Sequence, residues 1–293
     1  MPENQGICPD RPSVTALTYT VQVAVNTPSH SGVDDLLDYT STQPLAPGTL
    51  VRVPLGRREV LGVVWDAPAN APGASPHQLR AVAGVLEGLA PLDAPWRRLV
   101  AFAARYYQRS LGEVALAALP AQLRDLQPEQ LARRLRRPST QGDTFNATPL
   151  IALSAEQESA RAEIDAKKGP FLLFGSTGSG KTEVYLRCVQ DLLARSPTAQ
   201  ALVMVPEINL TPQLEERFVA RFGAGSVVSL HSGMTNPQRL KSWLAAHSGQ
   251  ARIVLGTRMA VFASLPGLGL IVVDEEHDPS YKQQEGARYS ARD

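Results

Sequence analysis

The sequence predicts an α/β protein in which a small β-rich domain and a helical segment precede a parallel sheet with helices on both faces. Short apolar runs alternate with helical patterns after residue 150, as in repeated βα units. A glycine-rich turn follows the first of these runs, where ligands of such sheets bind. Before residue 95, apolar and polar residues alternate with the period of β-strands.

The β-rich domain is predicted over residues 17–94, after a tail at 1–16 that we expect to be disordered. Its strand-like segments, separated by turn residues such as Pro47-Gly48 and Gly56, are 17–25, 49–54, 59–65 and 79–86. Between the last two of them, residues 66–78 are rich in Pro, Ala and Gly and predict an irregular loop.

Residues 95–150 are predicted to form a helical segment and linker. Apolar residues recur at helical spacing and indicate two helices before Pro120. From Arg124 the sequence turns polar and carries an arginine run, Arg133, Arg134, Arg136 and Arg137. This run fits either a solvated helix end or a contact with a phosphate backbone.

The α/β domain is predicted over residues 151–293. Its strands are expected at 171–174, 201–205, 227–230, 252–255 and 270–274, with helices that end near residues 194, 222 and 246.

Composition narrows the class of protein. The chain has 293 residues, 29 Lys and Arg and 28 Asp and Glu, so nucleic-acid binding would depend on local patches. Cys8 and Cys188 are too few for a disulfide framework or a zinc site. We see no signal peptide and no apolar run near the ~20 residues of a membrane span. These features predict a cytoplasmic protein without membrane contact.

A phosphate-binding loop is the strongest motif. The segment fits G-x-x-x-x-G-K-[ST] between an apolar run and a helical pattern, the context that this motif requires. Backbone N–H groups of such a loop surround an anion, and the next helix adds its dipole. We expect Lys181 to reach the β- and γ-phosphates of ATP and Thr182 to bind Mg²⁺. The loop consists of Gly175, Ser176, Thr177, Gly178, Ser179, Gly180, Lys181 and Thr182.

A second motif ends the apolar run at 270–273 with Asp274, Glu275, Glu276 and His277. A buried parallel strand would deliver these carboxylates to the same sheet edge as the loop. Asp274 would hold Mg²⁺ and Glu275 would polarise the attacking water. Either motif alone also fits a glycine-rich turn or an acidic strand end, but their order on two strand ends favours an ATPase of the helicase type.

Further segments extend the pattern beyond a general ATPase; they are VPEINLTPQ at 205–213, LHSG at 230–233, GTRMAVF at 256–262 and residues 274–286. Together they resemble the PriA family of bacterial replication-restart helicases, also called primosomal protein N′. The resemblance covers nearly the whole chain and implies a RecA-like first lobe of a superfamily 2 DNA helicase at 151–293.

The resemblance also implies roles for single residues. Gln157, in the segment LSAEQ, would contact adenine, and His277 would couple the nucleotide site to DNA. An aromatic-rich loop would sense single-stranded DNA through Tyr281, Lys282, Arg288 and Tyr289, since bases stack on aromatic rings. In this loop Ala287 replaces the usual tryptophan of the family, and Ser290 a usual histidine.

Two other groups of residues are DNA-binding candidates. Thr257 and Arg258 follow a strand end and could bind a phosphate, or could form an ordinary surface loop. By resemblance, Asp38, Tyr39, Gly56 and Arg80 would recognise the 3′ end of a nascent leading strand. Asp38 could accept a hydrogen bond from the 3′-hydroxyl and Tyr39 could stack on a base. The alternative is a folded β module with a buried tyrosine.

Some parts of the family pattern are not found in the sequence. Residues 121–150 are too few for the family's winged helix, which we expect to be lost or vestigial. The second RecA-like lobe and the zinc-binding insertion do not appear before Asp293, so Zn²⁺ is expected only in such a missing part. We therefore expect a fragment or a truncated reading frame that acts as a monomer. We expect it to turn ATP over poorly, because in such helicases the second lobe supplies arginines to the γ-phosphate.

The leading hypothesis is an ATP-dependent 3′→5′ DNA helicase of replication restart. Its partners would be forked and single-stranded DNA, other primosome proteins and single-stranded DNA-binding protein. An alternative is a non-catalytic scaffold that binds forks and uses ATP only as a ligand. A small GTPase or transporter ATPase is disfavoured because no N-K-x-D segment and no transporter signature are present.

Overall fold

The computed structural model describes residues 18–27, 35–66, 79–126, 130–131, 152–284 and 288–292. The predictions for the tail at 1–16, the loop at 67–78, the arginine run and Ala287 lie outside these residues. Two sheets, one antiparallel and one parallel, are present in the described part of the chain, which confirms the predicted fold class.

The N-terminal sheet has five antiparallel strands in the order β2-β1-β4-β3-β5. They are β1 Tyr19–Val25, β2 Leu36–Ser41, β3 Leu50–Leu55, β4 Arg58–Val64 and β5 Gly84–Val85. Side chains alternate between its two faces. Val23 and Val25 pack into one apolar cluster and Ala24 into another, so both faces of the sheet are buried.

The strand predicted at 79–86 is reduced to the two residues of β5. The preceding part of this segment lies against the opposite edge of the sheet, where Thr40 N donates to Arg80 O and Val82 N donates to Thr40 O. At the other end, Leu86 N donates to Leu50 O. The segment therefore connects both edges of the sheet, and its backbone is divided between two partner strands.

Within the described residues 79–126 three helices follow: α1 Ala94–Tyr106, α2 Leu111–Ala117 and α3 Ala121–Asp125. The two helices predicted before Pro120 are thus confirmed. Asp93 and Ser110 cap α1 and α2 by accepting hydrogen bonds from backbone N–H groups of the first turn. Helix α2 lies close to β1, since a Cβ atom added at Gly112 would be 1.8 Å from Val25 O.

The C-terminal sheet has four parallel strands in the order β7-β8-β6-β9. They are β6 Gln200–Met204, β7 Val227–Leu230, β8 Ile253–Gly256 and β9 Leu268–Val273. The helices are α4 Ala155–Ala166, α5 Lys181–Arg195, α6 Pro212–Phe222 and α7 Asn236–His247, with short 3-10 helices at Arg258–Phe262 and Pro279–Tyr281. Two apolar clusters contain side chains from this sheet.

The strand predicted at 171–174 is not formed. A strand needs a neighbour for its backbone hydrogen bonds, and no described strand pairs with this segment. Three of its four apolar side chains are exposed, Phe174 to 92%, Leu172 to 77% and Phe171 to 42%. The phosphate-binding loop is therefore joined to the domain through α5 rather than through a strand of the sheet.

The helical segment packs on the C-terminal domain. Trp96 Nε1 donates to Phe262 O at 2.9 Å, and His247 Nε2 lies 2.9 Å from Ala90 O. The His247 ring also stacks on Trp243, with centroids 4.8 Å apart. These contacts join the two parts in one buried apolar cluster. None of the described helices is both long and apolar enough to cross a membrane.

Candidate functional site

The phosphate-binding loop curls because two glycines adopt left-handed backbone conformations. Gly178 and Gly180 both have φ of +82°, a region that glycine enters without steric cost. Gly180 precedes α5 and provides no side-chain cap. The first N–H groups of α5 have no partner within the helix and, with its dipole, are suited to an anion.

Lys181 lies at the first position of α5 and its ammonium turns back over the loop. Its Nζ atom donates to Gly175 O at 2.8 Å and to Ser176 O at 3.2 Å. A single lysine thus holds the start of the loop and places a positive charge beside it. This arrangement fits a phosphate chain.

Gln157 connects α4 to the same loop. Its Nε2 atom donates to Ser179 O at 2.9 Å, while its Oε1 atom accepts from Ser154 N in a capping box. A Cβ atom at position 180 would be 2.3 Å from Gln157 Nε2, so Gly180 is also needed for this close approach. The residue predicted to contact adenine therefore lies against the phosphate-binding loop.

Tyr185 joins the two nucleotide motifs. Its hydroxyl donates to Asp274 Oδ2 at 3.3 Å, and Tyr185 itself lies on α5, the helix that begins with Lys181 and Thr182. Burial and then the Asp274 charge raise the pKa of Tyr185 well above its usual value, so the hydroxyl keeps its proton. We did not single out Tyr185 from sequence. Its position three residues after Thr182, on the same helix face, was the available signal.

Asp274 follows β9 directly and accepts a hydrogen bond from Glu275 N at 3.1 Å. Glu275 has φ of +47°, a strained conformation for a residue with a side chain. Its carboxylate lies 3.7 Å from His277 Nε2, and the His277 ring is exposed. In the described ranges no three His, Cys, Asp or Glu side chains form a metal cluster. A hydroxyl from Thr182 and a carboxylate from Asp274 would suit Mg²⁺, which is often held by one or two protein ligands together with phosphate oxygens.

The aromatic-rich loop begins with a tyrosine that is turned inward. Tyr281 is 2% exposed, and its hydroxyl donates to Asp274 O at 2.7 Å. A buried ring cannot stack on a base, so in this conformation Tyr281 positions Asp274. Tyr289 is partly buried and meets Phe262 edge to face at 4.9 Å, and burial raises its pKa to about 12. Lys282 and Arg288 are exposed.

The Thr257-Arg258 pair is also engaged within the protein. Arg258 Nε donates to Gln283 Oε1 at 2.6 Å and Nη1 to Ser280 O at 3.2 Å, while Glu207 lies 3.6 Å away. Thr257 is only 4% exposed. Arg258 therefore links the 3-10 helix after β8 to the aromatic-rich loop, and a phosphate contact would have to replace some of these bonds.

In the N-terminal domain, three of the four candidate DNA-end residues lie together. Tyr39 is buried and its hydroxyl donates to Pro54 O at 3.1 Å, while Arg80 Nη1 donates to Gly56 O at 2.7 Å. Burial raises the pKa of Tyr39, and the nearby Arg80 charge opposes this shift. Asp38 precedes Tyr39 in β2, so its side chain lies on the opposite face.

The comparisons with known proteins match both domains. The family model described as the 3′DNA-binding domain of PriA matches residues 22–120, and the DEAD/DEAH box helicase model matches residues 154–292. The replication restart protein PriA of Haemophilus influenzae is 34% identical over 84% of this chain and 43% of its own length. PriA of Rickettsia felis is 33% identical over 88% of this chain and 38% of its own.

The chain belongs to the PriA family. It spans about two fifths of the length of these PriA relatives, in the order DNA-binding domain and then helicase domain. The helicase match begins at Ser154, so the P-loop, Gln157, Tyr185 and Asp274 all lie inside it. The DNA-binding match includes Tyr39, Gly56 and Arg80. It also includes the helices α1 and α2, which sequence patterns had placed in a separate segment.

Proposed function

We propose that this chain binds Mg·ATP at the phosphate-binding loop and a 3′ DNA end at its N-terminal domain, as part of an ATP-dependent 3′→5′ DNA helicase that restarts replication at stalled forks. The observation that carries the proposal is the hydrogen bond to Asp274 from Tyr185, on the helix that begins with Lys181 and Thr182. It joins the two nucleotide motifs in a chain that also carries a match to the PriA DNA-end domain. The partners that the family resemblance implies, single-stranded DNA-binding protein and other primosome proteins, belong to this proposal.

The geometry of the nucleotide site supports the following roles. Lys181 and the first N–H groups of α5 bind the phosphates, and Gln157 orients the base beside the loop. Thr182 and Asp274 would hold Mg²⁺, and the hydroxyl of Tyr185 would orient the Asp274 carboxylate. Bound Mg·ATP supplies the phosphoryl group for hydrolysis. Glu275 takes a proton from the attacking water, and His277 beside it connects this region to DNA.

The nucleotide part is tested with a fluorescent ATP analogue and Mg²⁺. Lys181→Ala should weaken binding at least about tenfold, since a charge-assisted contact of about 1.5–3 kcal/mol is lost. Lys168→Ala is the matched control, because Lys168 is an exposed lysine before the loop. Equal affinity of both variants would remove the P-loop from the proposal.

At the DNA end, Arg80 is the residue best placed to meet a phosphate, because it is exposed beside Gly56. A Cβ atom at Gly56 would meet nothing within 4 Å, so the turn is open on this side. Tyr39 acts by holding Pro54 O, since its ring is buried. For Asp38 we retain the role of accepting a hydrogen bond from the 3′-hydroxyl.

Fluorescence anisotropy on forked DNA tests this part. Ends carrying a 3′-hydroxyl and a 3′-phosphate are compared for wild type, Asp38→Ala and Arg80→Met, with Arg98→Met as a control on the exposed side of α1. We expect wild type to prefer the hydroxyl, Asp38→Ala to lose that preference and Arg80→Met to bind about tenfold more weakly. Equal binding of both ends by wild type would reject the DNA-end function.

Coupling of DNA to ATP is proposed for the aromatic-rich loop. Lys282 and Arg288 are its exposed cations and would bind phosphates of single-stranded DNA, while Arg258 and Thr257 would join them on rearrangement of the loop. Tyr289 would stack on a base once freed from Phe262. The test is ATPase activity with and without single-stranded DNA, in a protein extended to the full length of the PriA relatives.

A non-catalytic scaffold is the second candidate function. The exposed segment at 171–174 favours it, because the loop that follows is not held by a strand of the sheet. In the extended protein, ATPase activity that depends on Glu275 would exclude the scaffold. ATP binding and fork binding without turnover would support it.

A further inference from the structure

The turn between β3 and β4 carries exposed arginines at one end of the N-terminal sheet. Leu55 lies opposite Arg58 in this pair of strands, so the strands are joined by a two-residue turn. The turn consists of Gly56 and Arg57, and both Arg57 and Arg58 are exposed. Among the described residues, neither of these arginine side chains has a hydrogen-bond or ion-pair partner. Two guanidinium groups are therefore available to an external ligand.

Arg80 brings a third guanidinium to the same turn from a distant part of the chain. Its Nη1 atom donates to Gly56 O at 2.7 Å, which holds the exposed side chain beside the turn. A single bond to a carbonyl leaves most of the N–H donors of a guanidinium available. We call Arg57, Arg58 and Arg80 together the arginine tip.

The acidic residue next to the arginine tip in the chain does not neutralise it. Glu59 follows Arg58, and successive side chains of a strand lie on opposite faces of the sheet. The strand register places Glu59 on the face of Arg52 instead. Burial lowers the pKa of Arg52, and the charges of Asp125 and Glu59 oppose that shift. The charge of Glu59 thus acts on a buried arginine of the other face.

The arginine tip is the kind of local patch on which nucleic-acid binding by this chain would depend. With 29 Lys and Arg against 28 Asp and Glu, the chain as a whole has almost no net charge to attract DNA. Three guanidinium groups at one turn are a local excess of positive charge. A guanidinium matches the geometry of a phosphate and binds it through charge-assisted hydrogen bonds.

We propose that Arg57 and Arg58, together with Arg80, bind phosphates of the duplex DNA directly behind the 3′ end, an inference that rests on the proposed DNA-end function. A nascent 3′ end is paired with its template, so duplex phosphates lie next to any group that contacts the end. Tyr39 reaches Pro54 O with its hydroxyl but is only 3% exposed, so its ring offers no stacking surface for an unpaired base. Contacts with phosphates fix register and orientation, whereas reading of the end remains with Asp38.

These contacts would make binding depend on salt and not on the chemistry of the end. Each phosphate that a cation neutralises releases counterions and steepens the fall of log affinity with log salt by about 0.9. Arg57 and Arg58 together would therefore account for about 1.8 of that slope. The same contribution is expected with a 3′-hydroxyl and with a 3′-phosphate.

Fluorescence anisotropy of the full chain at salt concentrations between about 50 and 200 mM tests the proposal. The DNA is a duplex with a recessed 3′ end, which carries either a hydroxyl or a phosphate, and a single strand of the same sequence. Arg57→Met and Arg58→Met remove the charges singly and together, while the double change Arg57→Lys and Arg58→Lys keeps them. Arg98→Met is the control for loss of an exposed arginine on α1.

We expect each single Met variant to bind the duplex about threefold to tenfold more weakly and the double Met variant to lose about 1.8 of the salt slope. The double Lys variant and Arg98→Met should keep the slope of wild type. The ratio of affinities for the two kinds of end should be the same in every variant, and circular dichroism should show that all of them are folded.

An unchanged salt slope in the double Met variant, or an equal loss in Arg98→Met, would overturn the proposal and leave the arginine tip as solvated surface. An equal loss of affinity for the single strand would overturn the assignment to duplex DNA. Failure of the DNA-end function is distinguishable from these outcomes. It would appear as equal binding of both ends by wild type, with a salt slope that still depends on Arg57 and Arg58.

Discussion

Glu183 allows a stringent test of how the nucleotide-binding helix is held. It follows Thr182 in α5 and is buried. Arg187 Nε donates to its carboxylate at 2.9 Å, and Arg221 Nη1 donates to both carboxylate oxygens at 2.8 and 2.9 Å. Burial would raise the pKa of Glu183, but hydrogen bonds from the two arginines outweigh it and lower the pKa. The charged form thus joins α5 to α6.

Glu183→Gln removes the charge and keeps one acceptor oxygen. The two arginines are largely buried, with side chains 14% and 12% exposed, and both would lose the charge of Glu183. Breaking a buried ion pair on one side costs about 3–5 kcal/mol. Because the amide still accepts a hydrogen bond, we expect the lower end, about 3 kcal/mol less free energy of unfolding.

Equilibrium unfolding in urea, followed by far-ultraviolet circular dichroism, measures this difference. Glu163→Gln is the control, since Glu163 pairs with Lys167 on an exposed face, and its urea midpoint should not change. The stabilisation from Glu183 should be complete above pH ~4.3 and lost as pH falls through its lowered folded-state pKa, so wild type and variant should converge there. A loss below about 1 kcal/mol at pH 7 would refute the reasoning.

Three further predictions concern the contacts between the domains and within the first one. Burial lowers the pKa of His247 in the folded protein. The neutral ring therefore stabilises the fold fully above the unfolded-state pKa of ~6.5, and this stabilisation is lost as pH falls below that value. His247→Gln should therefore flatten the fall in thermal midpoint between about pH 7 and 5. Gly112→Ala places a Cβ atom against Val25 O and should cost about 2 kcal/mol in urea unfolding. Trp96→Phe leaves Phe262 O without its donor and should cost about 2 kcal/mol by the same measurement.

Local signals in the sequence were sufficient for the motifs and most helices. The P-loop depends on glycines with positive φ and a lysine at a helix start, and both are present at Gly178, Gly180 and Lys181. Helices α1 and α2 begin after Asp93 and Ser110, residues whose side chains cap the helix starts. Each of these features depends on residues close in sequence, which is why patterns predict them.

The orientation of side chains in the candidate sites could not be obtained in this way. Tyr281 has an aromatic ring of the kind that stacks on bases. In the structure, however, the ring is buried and the hydroxyl donates a hydrogen bond to Asp274 O. The guanidinium of Arg258 is a chemical group that commonly binds phosphate, yet its Nε donates a hydrogen bond to Gln283 Oε1. Both outcomes depend on how the loop after β9 folds back on the 3-10 helix after β8, and a sequence pattern does not contain that tertiary contact.

The apolar run at 171–174 is a case in which the sequence pattern predicted a strand that the structure does not form. Its composition expresses a preference for burial, about 1.5–3 kcal/mol for each large apolar side chain. The strand β9 shares this preference, and Ile271 in it is also half exposed. A pattern records only this preference, whereas a strand forms when a neighbour supplies hydrogen bonds. Within the described residues 171–174 has no such neighbour and β9 pairs with β6 alone, so exposed apolar surface remains on both.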